Sequence, residues 1–154
     1  MKLRNGEIMR EIIFRGKRKN NKTWIYGAYI APDFTYWREP SIADNNHRFE
    51  IIPESLGQYT GYKDKDGINI YEGDIISCTS SCDDICMVVR FGEHRKYRDC
   101  EDKLENSELG FYVEHENDNL YYREDLLYWL QQEDVKVIGN IFDNPNRFKK
   151  EREE

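Results

Sequence analysis

The sequence predicts an all-β fold, mainly β with one short helix, arranged as a small barrel beside an N-terminal β-hairpin. Three observations predict it. The 154 residues include eleven Tyr, seven Phe and three Trp, side chains that suit half-buried sheet faces. Short segments alternate between apolar and polar residues, and turn signals interrupt them about every ten residues. A chain of this length buries roughly two-thirds of the surface that its unfolded state exposes, so it needs no metal or disulfide to fold.

The first predicted feature is a β-hairpin with a basic turn. Residues 11–16 and 23–30 alternate between apolar and polar positions, and the polar run KRKNN separates them. The next stretch, 31–48, contains two prolines and no regular period, which predicts a long ordered loop or a lid. The predicted regions are an N-terminal hairpin and loop (1–55), a barrel (56–146) and a charged tail (147–154).

The segment 63–76, KDKDGINIYEGDII, has the features of both a calcium loop and a turn between strands. A calcium loop has oxygen ligands at positions 1, 3 and 5, Gly at 6 and Glu at 12. With Gly67 at position 6, Tyr62 falls at position 1 and Gly73 at position 12. Neither end of the segment therefore has the ligand that a calcium loop requires there. An Asp-Gly step between alternating segments is instead a strong hairpin signal, because both central turn residues need a positive φ. The predicted hairpin strands are 58–63 and 68–71.

Further strands and one helix follow along the chain. Residues 92–108 contain ten charged residues, and we expect a mobile solvated loop there. Apolar residues at near-helical spacing predict an amphipathic helix at about 121–132, with Asn119 as its N-cap. The other predicted strands are 49–52, 74–79, 85–91, 109–115 and 135–142.

Cys78, Cys82 and Cys86 are regularly spaced, which raises the possibility of a metal site. Structural zinc sites use cysteine pairs separated by two to four residues, together with two further ligands. The surrounding sequence is β-branched and rich in turn residues, which places Cys78 and Cys86 on opposite arms of a hairpin and Cys82 in its turn. We interpret them as ordinary reduced thiols of a cytoplasmic protein and expect no metal and no cofactor. A metal site at these cysteines stays open as the alternative.

Positive charge is concentrated in the N-terminal hairpin. Residues 1–22 carry eight Lys or Arg against two Glu, in a chain with a net charge of −7. An acidic protein is a poor general ligand for nucleic acid, since that affinity comes mainly from neutralised phosphates. A local basic surface can still contact phosphate, or the acidic body of another subunit.

Two groups of residues are candidates for contact with a partner or a nucleic acid. One is the basic hairpin turn with its flanking Trp, and the other is an aromatic group in the loop 31–48, which suits a protein interface. The competing interpretations are a solvated turn and aromatic side chains that cap the core. The candidate residues are Arg15, Lys17, Arg18, Lys19, Lys22, Trp24, Phe34, Tyr36 and Trp37.

No group of residues in the sequence indicates catalysis. His47, His94 and His115 fall in a loop, a charged loop and a strand end, and no Ser or Cys nucleophile accompanies them in a strand–turn–helix context. We therefore expect a protein that is not an enzyme. No apolar run approaches the roughly 20 residues of a membrane span, and the start of the sequence lacks the apolar stretch of a signal peptide. These features predict a cytoplasmic protein with no membrane contact.

Three stretches together resemble one family. They are REIIFRGKRKNNKTWIYGAYI (10–30), PESLGQYTGYKDKDGINIYEGDII (53–76) and VIGNIFDNP (137–145). Their order and spacing are similar to those of the YopX family of phage and prophage proteins. The resemblance implies a β-rich fold with an SH3-type barrel, self-association and carriage by mobile genetic elements of bacteria. It implies no enzyme activity and no catalytic residues.

These observations lead to two expectations about function. The first is a non-enzymatic phage or prophage accessory protein, a self-associating interaction module that forms a homo-oligomer and binds a phage or host protein. The alternative is a nucleic-acid-binding protein that uses the basic N-terminal hairpin, as small barrels with aromatic faces can do.

Overall fold

The computed structural model describes residues 3–4, 7–8, 11–33, 38–79, 84–96, 105–115, 123–132 and 134–148. The chain divides into two compact units, residues 1–62 and 63–154. The predicted charged tail, 147–154, lies largely outside the described residues, as does the predicted helix cap Asn119.

The first unit is built from short antiparallel strands. A two-residue pair, β1 and β2, precedes a sheet with the hydrogen-bonded order β6-β5-β4-β3-β7. The strands are β1 (Leu3–Arg4), β2 (Glu7–Ile8), β3 (Phe14–Lys17), β4 (Trp24–Ile30), β5 (Ser41–Ala43), β6 (Arg48–Glu50) and β7 (Gly57–Lys63).

The predicted N-terminal hairpin is confirmed as β3 and β4. Lys17 lies opposite Trp24 in the register, and the Arg18 amide donates to the Thr23 carbonyl at 2.9 Å to close the turn. Lys22 adopts a φ of 61° within this turn, a left-handed conformation that few non-glycine residues adopt.

The prediction of one long loop at 31–48 is wrong, because β5 and the start of β6 lie within it. Ile42 of β5 is fully buried and faces Phe49 of β6 in the register. Each of these strands has only three residues. A strand that short completes too few alternations to give a periodic sequence signal.

Close approach of β4 and β5 requires a residue without a side chain at position 27. A Cβ built on Gly27 would lie 2.0 Å from the carbonyl oxygen of Ala43, far inside van der Waals contact. Gly27 therefore lets β5, and with it β6, pack closely against β4 of the hairpin, which positions the basic residues described below.

The second unit contains a five-stranded antiparallel sheet in the order β12-β11-β10-β9-β13. The turn at 64–68 follows β7 and leads into β8, and the sheet strands begin after Gly73. Its elements are β8 (Asn69–Tyr71), β9 (Asp74–Thr79), β10 (Asp84–Lys96), β11 (Glu105–His115), β12 (Arg123–Asp125), α1 (Leu126–Gln132) and β13 (Val135–Asn140).

The all-β class is confirmed, but the predicted SH3-type barrel is not closed. Closure would require β12 and β13 to pair, and they form opposite edges of the five-stranded sheet. The physical reason is the short β12, which runs directly into α1 after Asp125. The Asp125 Oδ1 atom accepts a hydrogen bond from the Tyr128 amide at 3.1 Å. This bond caps the start of α1, so the strand ends at that edge of the sheet.

A single apolar core holds the second unit together. Alternate residues of β9, β10 and β11 point into it, and α1 covers it with Leu126, Trp129 and Leu130. Cys78 is buried in this core. It belongs to β9 and Cys86 to β10, so the two cysteines lie on opposite arms of a hairpin, as predicted. Cys82 lies outside the described residues. The buried core residues are Ile70, Ile76, Cys78, Met87, Val89, Val113, Leu126 and Val135.

The prediction of a mobile loop at 92–108 is wrong at both ends. β10 continues to Lys96 and β11 begins at Glu105, with a register that runs continuously from Met87 opposite His115 to Arg95 opposite Ser107. The high charge of this stretch hid the strands, because the buried side chain that its described residues contribute is His94 rather than an apolar residue, so no apolar alternation marks it.

The helix is shorter than predicted. α1 covers residues 126–132, and β12 occupies residues 123–125. Glu124 joins the two elements by accepting a hydrogen bond from Trp129 Nε1 at 2.6 Å. The pKa of Glu124 is lowered overall. The adjacent His115 imidazole is the main cause, burial opposes it, and the bond from Trp129 adds to it.

In the described part of the chain, no helix combines the length and apolarity needed to cross a membrane.

Candidate functional site

Cationic side chains pack on an aromatic ring along the β3–β4 hairpin. The Arg15 guanidinium carbon lies 4.8 Å from the centroid of the Trp24 ring, and Lys17 Nζ lies 5.5 Å from it. Both distances are within the range of cation–π attraction. Arg15 is only 7% exposed. This predicted contact residue is therefore largely buried in the hairpin and offers little surface to a partner.

A second basic group surrounds a cleft of about 300 Å³. We call it the basic cleft, and its lining residues are Arg18, Lys19, Asn20, Arg48, Phe49 and Glu50.

The geometry of the basic cleft orients Arg18. Its guanidinium carbon lies 4.1 Å from the centroid of the Phe49 ring, and its buried Nε makes no hydrogen bond to the described part of the chain. Lys19 Nζ is 3.3 Å from the Glu39 carboxylate in an exposed ion pair. The cleft thus presents a guanidinium placed over an aromatic ring, an arrangement that suits an anionic group.

The structure brings together only some of the predicted site residues. Arg15 and Lys17 share Trp24, Arg18 and Lys19 line the basic cleft, and Lys22 is an exposed turn residue. The sequence did not indicate Arg48 and Phe49, which reach the cleft through the pairing of β6 with β5 and through direct backbone contacts of the hairpin turn, where Arg18 bridges Ile51 and the Lys19 amide donates to the Glu50 carbonyl at 2.9 Å. The remaining predicted residues, Phe34, Tyr36 and Trp37, lie outside the described residues.

Apolar side chains continue along β10 and β11 from the edge of the core, where Phe111 is half-buried, to exposed positions. Phe91 and Phe111 are directly opposite each other, with ring centroids 5.1 Å apart in an edge-on arrangement. Leu109 lies on the same face, two residues from Phe111. Phe91 is 46% exposed and Leu109 is 75% exposed. We call Phe91, Leu109 and Phe111 the apolar strip.

Ligand-type side chains meet on the other face of the same strands. His94, Glu108 and Asp125 come from β10, β11 and β12, and each can place one N or O atom within 4.8 Å of the other two. We call these three residues the His94 cluster. The sequence alone predicts His94 only as a residue of a charged loop.

The segment that resembles a calcium loop is a structural turn. Asp64 Oδ1 accepts hydrogen bonds from the amides of Asp66 and Ile68 at 2.9 and 2.8 Å, and Oδ2 accepts one from the Val137 amide at 3.0 Å. Gly67 has the φ of +82° that the turn needs. The Asp66 φ is not positive, so the prediction that both central residues have positive φ is wrong, although the turn itself is confirmed.

Comparison with known proteins gives a family and a fold. The sequence profile of the family described as "YopX protein" matches residues 13–149. The crystal structure of protein EF1440 from Enterococcus faecalis is similar to this chain, with a TM-score of 0.51 at 20% sequence identity. The similarity covers 92% of this chain and 100% of that one. No curated protein matches the sequence significantly.

Proposed function

We propose that this chain, which belongs to the YopX family, is a non-enzymatic interaction protein that acts by associating with copies of itself. As part of the same proposal, it serves as an accessory factor of a phage or prophage in the cytoplasm of the bacterial host. A phage or host protein is then the further partner of the oligomer.

The apolar strip is the observation that supports self-association. Single exposed apolar residues are common on protein surfaces, but contiguous ones indicate an interaction site. Here the exposed Phe91 and Leu109 adjoin Phe111, which packs against the edge of the core, on one face of the β10–β11 hairpin. The strip would be shielded from water by the same strip of a second copy, because a two-fold contact pairs identical surfaces.

A light-scattering experiment tests this proposal. The full chain, separated by size-exclusion chromatography across a dilution series, is expected to have a mass that is a multiple of one chain. Leu109→Lys places a charge in the strip, and we expect the mass to fall to that of a single chain at the same concentration. Ile68→Lys is the matched control, because Ile68 is an exposed apolar residue (54%) outside the strip. A wild-type chain that stays monomeric throughout would refute the proposal.

The basic cleft favours a second function, which is binding of single-stranded nucleic acid. Arg18 and Arg48 can neutralise phosphate, and Phe49 offers an aromatic ring close to them. Such combinations of positive charge and aromatic rings bind single strands without sequence preference. The acidic character of the whole chain limits this binding to the cleft.

For the cleft we expect salt-dependent binding of a fluorescein-labelled single-stranded oligonucleotide, measured by anisotropy. Arg18→Ala removes one phosphate contact, so the slope of log K against log salt should become shallower by about 0.7. Lys65→Ala removes an exposed positive charge of the second unit and should leave the slope unchanged. Binding that does not respond to salt, or no binding at all, would exclude this function.

A further inference from the structure

We propose that the His94 cluster binds a divalent transition-metal ion, with Zn²⁺ as the preferred ion. The site is independent of the proposed self-association, because its residues point to the face opposite the apolar strip. One ion would join three neighbouring strands: β10 through His94, β11 through Glu108 and β12 through Asp125.

The strongest observation is the state of the His94 imidazole. His94 is 3% exposed, and its buried Nε2 makes no hydrogen bond in the described part of the chain. Buried polar atoms are normally satisfied, so a nitrogen in this state indicates a partner that the protein chain itself does not supply. The nearest carboxylate oxygen is Asp125 Oδ2, at 3.5 Å.

That distance fits two ligands of one ion better than a direct bond. A charge-assisted bond between imidazolium and carboxylate would be about 2.7–2.9 Å long. Two ligands of a tetrahedral zinc ion, each about 2.1 Å from the metal, lie about 3.4 Å apart. Glu108 is exposed, and its carboxylate lies within the 4.8 Å spread of ligand atoms that defines the cluster.

The surrounding residues hold the ring and the carboxylate in place. The Tyr112 ring stacks on His94 with centroids 5.6 Å apart and planes 25° apart. A Cβ on Gly110 would lie 3.3 Å from His94 Cε1, so the absence of a side chain there makes room for the imidazole. Asp125 uses Oδ1 to cap α1, which leaves Oδ2 directed towards His94.

The charge and ligand type of the cluster select the class of ion. One neutral imidazole and two carboxylates carry a charge of −2, which a divalent cation neutralises. The nearby cation Arg90 on the same face is engaged, because its Nε is 3.0 Å from the Glu114 carboxylate. A mixed nitrogen and oxygen set suits zinc or other first-row ions rather than calcium, which takes six to eight oxygens.

The test is metal titration of the full chain after treatment with a chelator. We expect one Zn²⁺ per chain by calorimetry and a rise in the thermal unfolding midpoint. Asp125→Asn keeps an oxygen to cap α1 but can turn its amide nitrogen towards His94, and Glu108→Gln changes an exposed residue. Changing a residue that only hydrogen-bonds to a metal ligand already weakens metal binding about tenfold or more. Each of these variants changes a ligand itself, so each should weaken Zn²⁺ binding at least about tenfold.

A control variant and a spectrum distinguish binding at the His94 cluster from binding at other carboxylates or at the cysteines. Glu93→Gln removes an exposed carboxylate adjacent to His94 in sequence but on the opposite strand face, and it should bind Zn²⁺ as the wild type does. Co²⁺ in place of Zn²⁺ should give the visible bands of nitrogen and oxygen ligands without a thiolate charge-transfer band. Absence of binding, binding unchanged in both ligand variants, or a thiolate band that assigns the ion to cysteines would each overturn the proposal.

Discussion

Replacing Asp64 by Ala is expected to lower the free energy of unfolding by about 3–5 kcal/mol. The Asp64 carboxylate is 6% exposed and accepts three backbone hydrogen bonds, two within its own turn and one from Val137 of β13. Hydrogen bonds to a charged group contribute about 1.5–3 kcal/mol each, and the three are not additive. Since a domain is stable by only about 5–15 kcal/mol, this change removes a large part of the total. Urea denaturation followed by circular dichroism measures it.

Two variants separate the role of the Asp64 carboxylate from that of the turn. Asp66→Ala removes an exposed ion pair with Lys136, whose Nζ–Oδ2 distance is 3.0 Å, and should cost less than about 1 kcal/mol. Asp64→Asn keeps the shape, but its amide nitrogen must face a backbone donor, so we expect an intermediate loss. A loss for Asp64→Ala no greater than that for Asp66→Ala would contradict the account of Asp64 as the anchor of β13.

Local sequence patterns predict the hairpins because each hairpin has its own signals. The alternation of apolar residues in β10 places Met87 and Val89 on one face of the strand, and both are buried in the core. It also assigns Phe91 to the same face, yet Phe91 is 46% exposed. Alternation reports which face of a strand a residue occupies, but the end of the core depends on which other elements reach that face. The apolar strip was therefore invisible as a surface.

The predicted contact residues show the same limit. The proximity of Lys17 and Trp24 follows from the register of one hairpin, which the sequence specifies. Arg48 and Phe49 reach Arg18 through two three-residue strands with no periodic signal and through the bridge of Arg18 to Ile51. The His94 cluster depends on the registers of three strands separated by long stretches of chain. Sites of that kind become visible only when the pairing of the strands is known.

Replacing Gly27 by Ala is expected to destabilise the chain by about 3 kcal/mol or more, because overpacking against backbone forces strands apart. The new Cβ would lie 2.0 Å from the Ala43 carbonyl oxygen and 3.2 Å from the Ile42 side chain. A carbonyl in a paired strand cannot move without loss of its ladder, so β5 must separate from β4. Because β5 carries β6, we also expect weaker oligonucleotide binding in the basic cleft.

Hydrogen exchange locates this effect and a second glycine provides the control. In Gly27→Ala, amide exchange should become faster in β4 and β5, whose pairing joins Ala28 to Ala43 and Ile30 to Ser41. Gly92→Ala makes the same chemical change in β10, where the added Cβ would meet only Tyr112 Cε1 at 3.5 Å, an ordinary contact. That variant should differ from the wild type by less than about 1 kcal/mol. Equal effects of the two substitutions would show that the loss of glycine itself, rather than the contact with Ala43, determines the outcome.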